Sequence, residues 1–111
     1  MEIDRKLTTA SNLVAAQEQE LGFGNVFSDH MLVRDWADGK WGGAMITPRE
    51  PIPVEPSALG IHYGQSVFEG LKAYRGSQDG VIRLFRPDRN AARLKASSER
   101  LCIPTLPAEE F

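Results

Sequence analysis

Apolar positions along the chain fall into short blocks rather than one long periodic run. Over residues 30–36 they partly alternate with polar ones, and Asp38-Gly39 supplies turn chemistry before a second block at 41–47. That pattern predicts a β-hairpin. Pro48, Pro51, Pro53 and Pro56 follow, and four prolines within nine residues exclude a helix and any central strand. An extended connector is expected there, followed by a short turn or helix over 57–64. Residues 67–74 read as a third strand with Phe68, Leu71 and Ala73 apolar, and Gly70 inside it suggests a close backbone approach. After a loop at 76–80, Val81, Ile82, Leu84 and Phe85 form the returning fourth strand. Four strands in two hairpins predict an antiparallel sheet.

The periodicity then changes from that of strands to that of a helix. Pro87 suits a first helical turn, where its missing N–H is no loss, and Ala91, Leu94, Ser98 and Leu101 recur at helical spacing. This helix is predicted to cover one sheet face and to stop before Pro104. Thr105 and Pro107 announce another helix, with Glu109 and Glu110 near its positive end. Phe111 falls inside that helix, and isolated helices below about 12 residues are marginal. The expectation is therefore the front part of a longer chain. Residues 1–20 show no sustained period and read as a mobile or loosely helical arm. Residues 21–111 read as one α+β domain, a small antiparallel sheet of hairpins packed against helices.

Composition narrows the function classes. With 111 residues, 41% hydrophobic and 25% charged, the chain is ordinary for one small globular domain. Thirteen basic against fifteen acidic side chains leave a net charge of -2, so no global field draws nucleic acid or an anionic membrane surface. Apolar runs are only a few residues long, far below the roughly 20 that span a bilayer. The opening MEIDRKLTTA has early acidic residues and no apolar stretch, which argues against a targeting segment and for a cytoplasmic location. Cys102 is the single cysteine and is expected as a small buried apolar residue at a helix end.

Candidate chemistry is sparse. Arg86, Arg89, Arg93 and Arg100 fall along nearly one helical face, for which a solvated stripe is the plain expectation. Tyr63 and Phe68 are either core aromatics or walls of a pocket. His62 and His30 have no carboxylates at ligand spacing, so no metal is expected. Ser66, Ser97 and Ser98 lack nucleophile-elbow glycines, and neither GKS/GKT nor GxGxxG is present. Glu69, followed by Gly70, reads as a structural hydrogen-bond acceptor with no chemical role.

Three stretches carry more than their composition. HYGQSVFEGLKAYRG at 62–76, VIRLFRPDRNAARLKASSERL at 81–101 and the upstream FGNVFSDHMLVRDW at 23–36 stand in an order that resembles the start of the branched-chain amino acid aminotransferases. These are pyridoxal 5'-phosphate (PLP) enzymes of fold type IV. The resemblance implies that Arg93, in the ARL segment, grips the cofactor phosphate, a task suited to a planar, permanently charged guanidinium that donates paired hydrogen bonds. It places Tyr63 near the substrate carboxylate, Phe68 on the wall for the aliphatic side chain and Phe23 along the same pocket. Such a pocket needs apolar walls, since each buried methylene contributes about 0.8 kcal/mol. The implied reaction moves the amino group of leucine, isoleucine or valine to 2-oxoglutarate, in a homodimer or larger homo-oligomer. A PLP transaminase also needs a lysine that forms a Schiff base with the cofactor. Lys6, Lys40, Lys72 and Lys95 stand in no matching motif, and in the family that lysine belongs to a later, larger domain. No catalytic residue is therefore assigned, and these residues by themselves are expected to be inactive. Two alternatives stand beside this reading. One is another fold type IV enzyme, a D-amino acid transaminase or aminodeoxychorismate lyase. The other is a non-catalytic α+β binding or dimerisation module.

Overall fold

The Asp38-Gly39 turn closes the first hairpin, with φ of 52° and 76° at its two central residues, the positive pair that a type I′ turn requires. In the computed structural model, which describes residues 2–13 and 22–111, this hairpin joins strands β2 (His30–Ala37) and β3 (Lys40–Pro48). A third strand, β1 (Ile3–Arg5), pairs parallel to β3, giving the order β1-β3-β2. Ile3 lies opposite Ala44, so the central strand carries the most buried side chain of this sheet, Ala44 at 1% exposure. A register shift between Arg34 and Trp36 marks a β-bulge, and past it Trp36 and Trp41 pair edge to face at 5.2 Å.

β1 is a correction to the expected arm. Its three residues have no legible periodicity, yet they find partners about forty residues away and extend the ladder to the Lys6 amide, which donates to the Ile46 carbonyl at 2.8 Å. The loosely helical reading of residues 14–20 lies outside the described residues.

The chain divides into two compact units, Met1–Pro53 and Val54–Phe111. In the second, helix α1 (Leu59–Tyr63) is closed by Gly64, whose φ of 62° is the left-handed conformation typical of a helix C-terminus. Strands β4 (Ala73–Arg75) and β5 (Ile82–Leu84) form a separate two-stranded antiparallel sheet. The Asp79 carboxylate fastens their loop by accepting from the Val81 amide and from both terminal nitrogens of Arg83. A Cβ at Gly76 would push against Asp79 Oδ1 and Arg83 Nη1, so a side chain there would have to displace this pair.

Several expectations change here. The predicted antiparallel sheet of four strands is instead two sheets, one containing a parallel pair. The predicted strand at 67–74 shrinks to its last two residues plus Arg75, because Glu69 and Gly70 bond to a helix side chain rather than to a strand. Helix α2 (Pro87–Arg100) has Pro87 in its first turn, as expected. Its end is a Schellman motif: the Ile103 amide donates to the Ser98 carbonyl and the Cys102 amide to that of Glu99. Cys102 occupies the left-handed position at φ 54° and is exposed, which corrects the expectation of a buried thiol. Pro107 precedes a single 3-10 turn, Ala108–Glu110, in place of the predicted Thr105-capped helix.

Among the regular elements of its unit, helix α2 meets that 3-10 turn and does not form the expected layer over β4 and β5. Strands β4 and β5 are three residues each with every residue exposed, too short to offer it a face. The α+β class holds. Asn90, Ala91 and Ser98 are the buried residues of α2, and among the described residues no large side chain is fully buried.

Candidate functional site

Helix α2 brings Asn90 and Arg93, three residues apart and so on one face, against the segment that holds Glu69 and Gly70. Asn90 Nδ2 donates to Glu69 Oε1 at 2.7 Å and to the Gly70 carbonyl at 2.7 Å. Arg93 Nε donates to Glu69 Oε2 at 2.9 Å, and Arg93 Nη2 makes a short contact with Oε1. The carboxylate thus takes the guanidinium side-on, in a two-point fork. The two partners differ in exposure, with the Glu69 side chain at 9% and that of Arg93 at 66%. A nearly enclosed acid anchors a cation that faces solvent.

The electrostatics agree with that geometry. The Arg93 guanidinium, helped by Asn90, holds the Glu69 carboxyl below the usual glutamate range, against the opposing effect of desolvation. Arg93 is pushed further up by the same pair. A carboxylate with a depressed folded-state pKa contributes stability above its unfolded value, about 4.3, and loses it as pH falls through the lower folded value. The Glu69 side-chain carboxyl carbon should therefore titrate with a midpoint below the ordinary glutamate range when followed by ¹³C NMR. A midpoint at or above that range would show that the fork does not persist in solution.

A guanidinium has five N–H donors. Two are engaged by Glu69, which leaves the Nη1 pair and the second Nη2 hydrogen, the end-on edge. That edge suits a phosphate, so the residues fit one point of a phosphate grip. The other arginines of the row offer less. Arg86 and Arg89 lie near Asp88 at 3.9 and 3.6 Å in exposed ion pairs of the kind worth little.

The expected pocket residues are not core aromatics. Tyr63 is 82% exposed and Phe68 84%. Each lines a shallow hollow of the second unit: Tyr63 with Leu59 and Gln65, Phe68 with Val67 and Ala96. Both hollows share Arg100 and Leu101, and Arg93 lines neither. Gln65 ties the α1 end to the helix terminus by donating from Nε2 to the Leu101 carbonyl at 2.8 Å. Phe23 belongs to the first unit, at 95% exposure between Gly22 and Gly24. Asn90 and Arg100 were not singled out from sequence as site residues. Asn90 had one usable signal, its three-residue spacing from Arg93.

His30 is a structural acceptor, taking the Thr8 amide on Nε2 at 2.9 Å. Among the described residues no cluster of His, Cys, Asp and Glu could hold a metal, and no helix is long and apolar enough to cross a membrane.

Comparison with known proteins gives these residues a context. The chain is 53% identical over 91 residues to the branched-chain-amino-acid aminotransferase of Mycolicibacterium smegmatis, covering 81% of this chain and 24% of the relative. It is 50% identical over 92 residues to branched-chain-amino-acid aminotransferase 2 of Bacillus subtilis, covering 82% and 25%. It is 42% identical over 108 residues to the cytosolic branched-chain-amino-acid aminotransferase of Saccharomyces cerevisiae, covering 96% and 28%. No protein-family model matches. The matched relatives are transaminases. Within that class, the chain is similar to the branched-chain-amino-acid aminotransferases, and it spans about a quarter of the length of the curated relatives it matches.

Proposed function

We propose that this chain is the amino-terminal part of a fold type IV, PLP-dependent enzyme that transfers the amino group of leucine, isoleucine or valine to 2-oxoglutarate. The observation that carries the proposal is the 42–54% identity to branched-chain-amino-acid aminotransferases over most of the chain. The solvent-facing edge of Arg93 supports it. On this reading residues 21–111 form most of a small domain, and the Schiff-base lysine lies elsewhere in the longer enzyme.

When bound, PLP supplies the electron sink that makes amino-group transfer possible. Arg93 binds and orients its phosphate with the end-on edge of the guanidinium. Tyr63 holds the substrate carboxylate through its phenol, while Phe68 and Phe23 exclude water from the aliphatic side chain. The exposed aromatic rings of this chain support a cleft completed by other parts of a cytoplasmic homodimer or higher homo-oligomer.

The test is the purified intact protein incubated with PLP, amino donors and 2-oxoglutarate. A bound-cofactor absorbance in the visible and glutamate formation from leucine far exceeding that from D-alanine are expected. Faster turnover of D-alanine would move the protein to the D-amino acid transaminases, and an absence of bound cofactor would favour a non-catalytic module.

A further inference from the structure

Glu69 is positioned twice over, by Asn90 from one side and by the backbone of its own segment, whose next carbonyl, that of Gly70, is held by the same amide nitrogen. Its carboxylate then meets Arg93 through both oxygens. A long side chain with 66% exposure would otherwise sample many rotamers, and a ligand would have to order it on binding. We propose that Glu69, set by Asn90, is a positioning residue for cofactor binding: it clamps the Nε–Nη2 edge of Arg93 and so presents the Nη1–Nη2 edge to a phosphate. This inference rests on the reading of Arg93 as the phosphate ligand.

Two effects oppose one another. The negative charge of Glu69 repels an incoming phosphate, whereas the fixed fork removes the ordering cost. The carboxylate sits on the far edge of the guanidinium, with the cation between the two anions and water at the open side, so the repulsion is screened. Ordering is the larger effect, and Glu69 strengthens phosphate binding.

The test uses the intact protein that carries this segment and compares its affinities for PLP and for pyridoxal, which lacks the phosphate, by equilibrium dialysis. The ratio of the two isolates the phosphate contact, since general damage to the fold lowers both. Arg93→Ala is expected to reduce the ratio by about tenfold or more, and Glu69→Gln by about threefold to tenfold, as two-point pairing is lost. Glu69→Asp keeps the charge but is one methylene short of the fork, so it lowers the ratio as well, and it serves if the glutamine variant does not fold. In an Arg93→Lys background, where no fork can form, Glu69→Gln should leave the ratio unchanged within about twofold. A ratio unaltered by Arg93→Ala would overturn the phosphate reading and this inference with it. A ratio that collapses in Arg93→Ala but stays at the wild-type value in both Glu69 variants would overturn the inference alone, as would additive effects in the lysine background.

Discussion

Replacing Arg93 with alanine in the intact protein is expected to strip most of the cofactor during dialysis, leaving a protein with weak visible absorbance that regains it only at high PLP concentration. The magnitude follows from the donors lost. Each charge-assisted hydrogen bond contributes about 1.5–3 kcal/mol, so loss of one corresponds to roughly tenfold to about 150-fold weaker binding, and loss of two to more. The same change also deprives Glu69 of its cation, leaving Asn90 as the side-chain donor to a carboxylate at 9% exposure. Some loss of stability will therefore accompany the loss of cofactor. Arg93→Lys separates the two effects, because a lysine keeps the positive charge near Glu69 but cannot reproduce the planar fork. Retention of PLP should be intermediate in that variant. Undiminished retention in Arg93→Ala would remove the role assigned to this residue.

Asn90→Ala is expected to have the largest effect on stability of any substitution in this segment. Asn90 is buried and holds two acceptors at once, the Glu69 carboxylate and the Gly70 carbonyl. Truncation leaves the carbonyl without this donor and creates a small void, for a loss of about 1–3 kcal/mol. Urea unfolding should show it as a lower midpoint with an unchanged slope. Asn90→Asp should be worse at neutral pH, since it sets one carboxylate against another, and the difference should narrow at acidic pH as the acids protonate. An alanine variant with the wild-type midpoint would mean that these bonds do not hold the segment to helix α2.

Local signals account for the parts of this architecture that could be read from sequence. The β2–β3 hairpin announced itself through Asp38-Gly39 between apolar blocks, and helix α2 through Pro87 and the 91–94–98–101 spacing. What escaped was non-local. β1 joins its sheet by pairing Ile3 with Ala44, a contact for which three residues hold no periodic signal. Residues 67–72 are apolar enough for a strand, but the groups at 69 and 70 are taken by Asn90, twenty or so residues later. Cys102 looked like core filling and instead sits at a left-handed helix end that more often holds glycine.

The site was legible to a different degree. Spacing alone made Arg93 one of a row, and only the resemblance singled it out. Its partner Glu69 read correctly as an acceptor, although nothing in the sequence showed from whom it accepts. Tyr63 and Phe68 line neighbouring hollows without Arg93, and Phe23 belongs to another unit. Their proposed joint role in one pocket rests on the resemblance alone.

The most direct measurement is a crystal structure of the intact protein loaded with PLP. The account predicts a phosphate oxygen within hydrogen-bond distance of Arg93 Nη1 or Nη2, with Glu69 still on the Nε side. A cofactor whose phosphate is held by other residues, with Arg93 turned to bulk water, would contradict it.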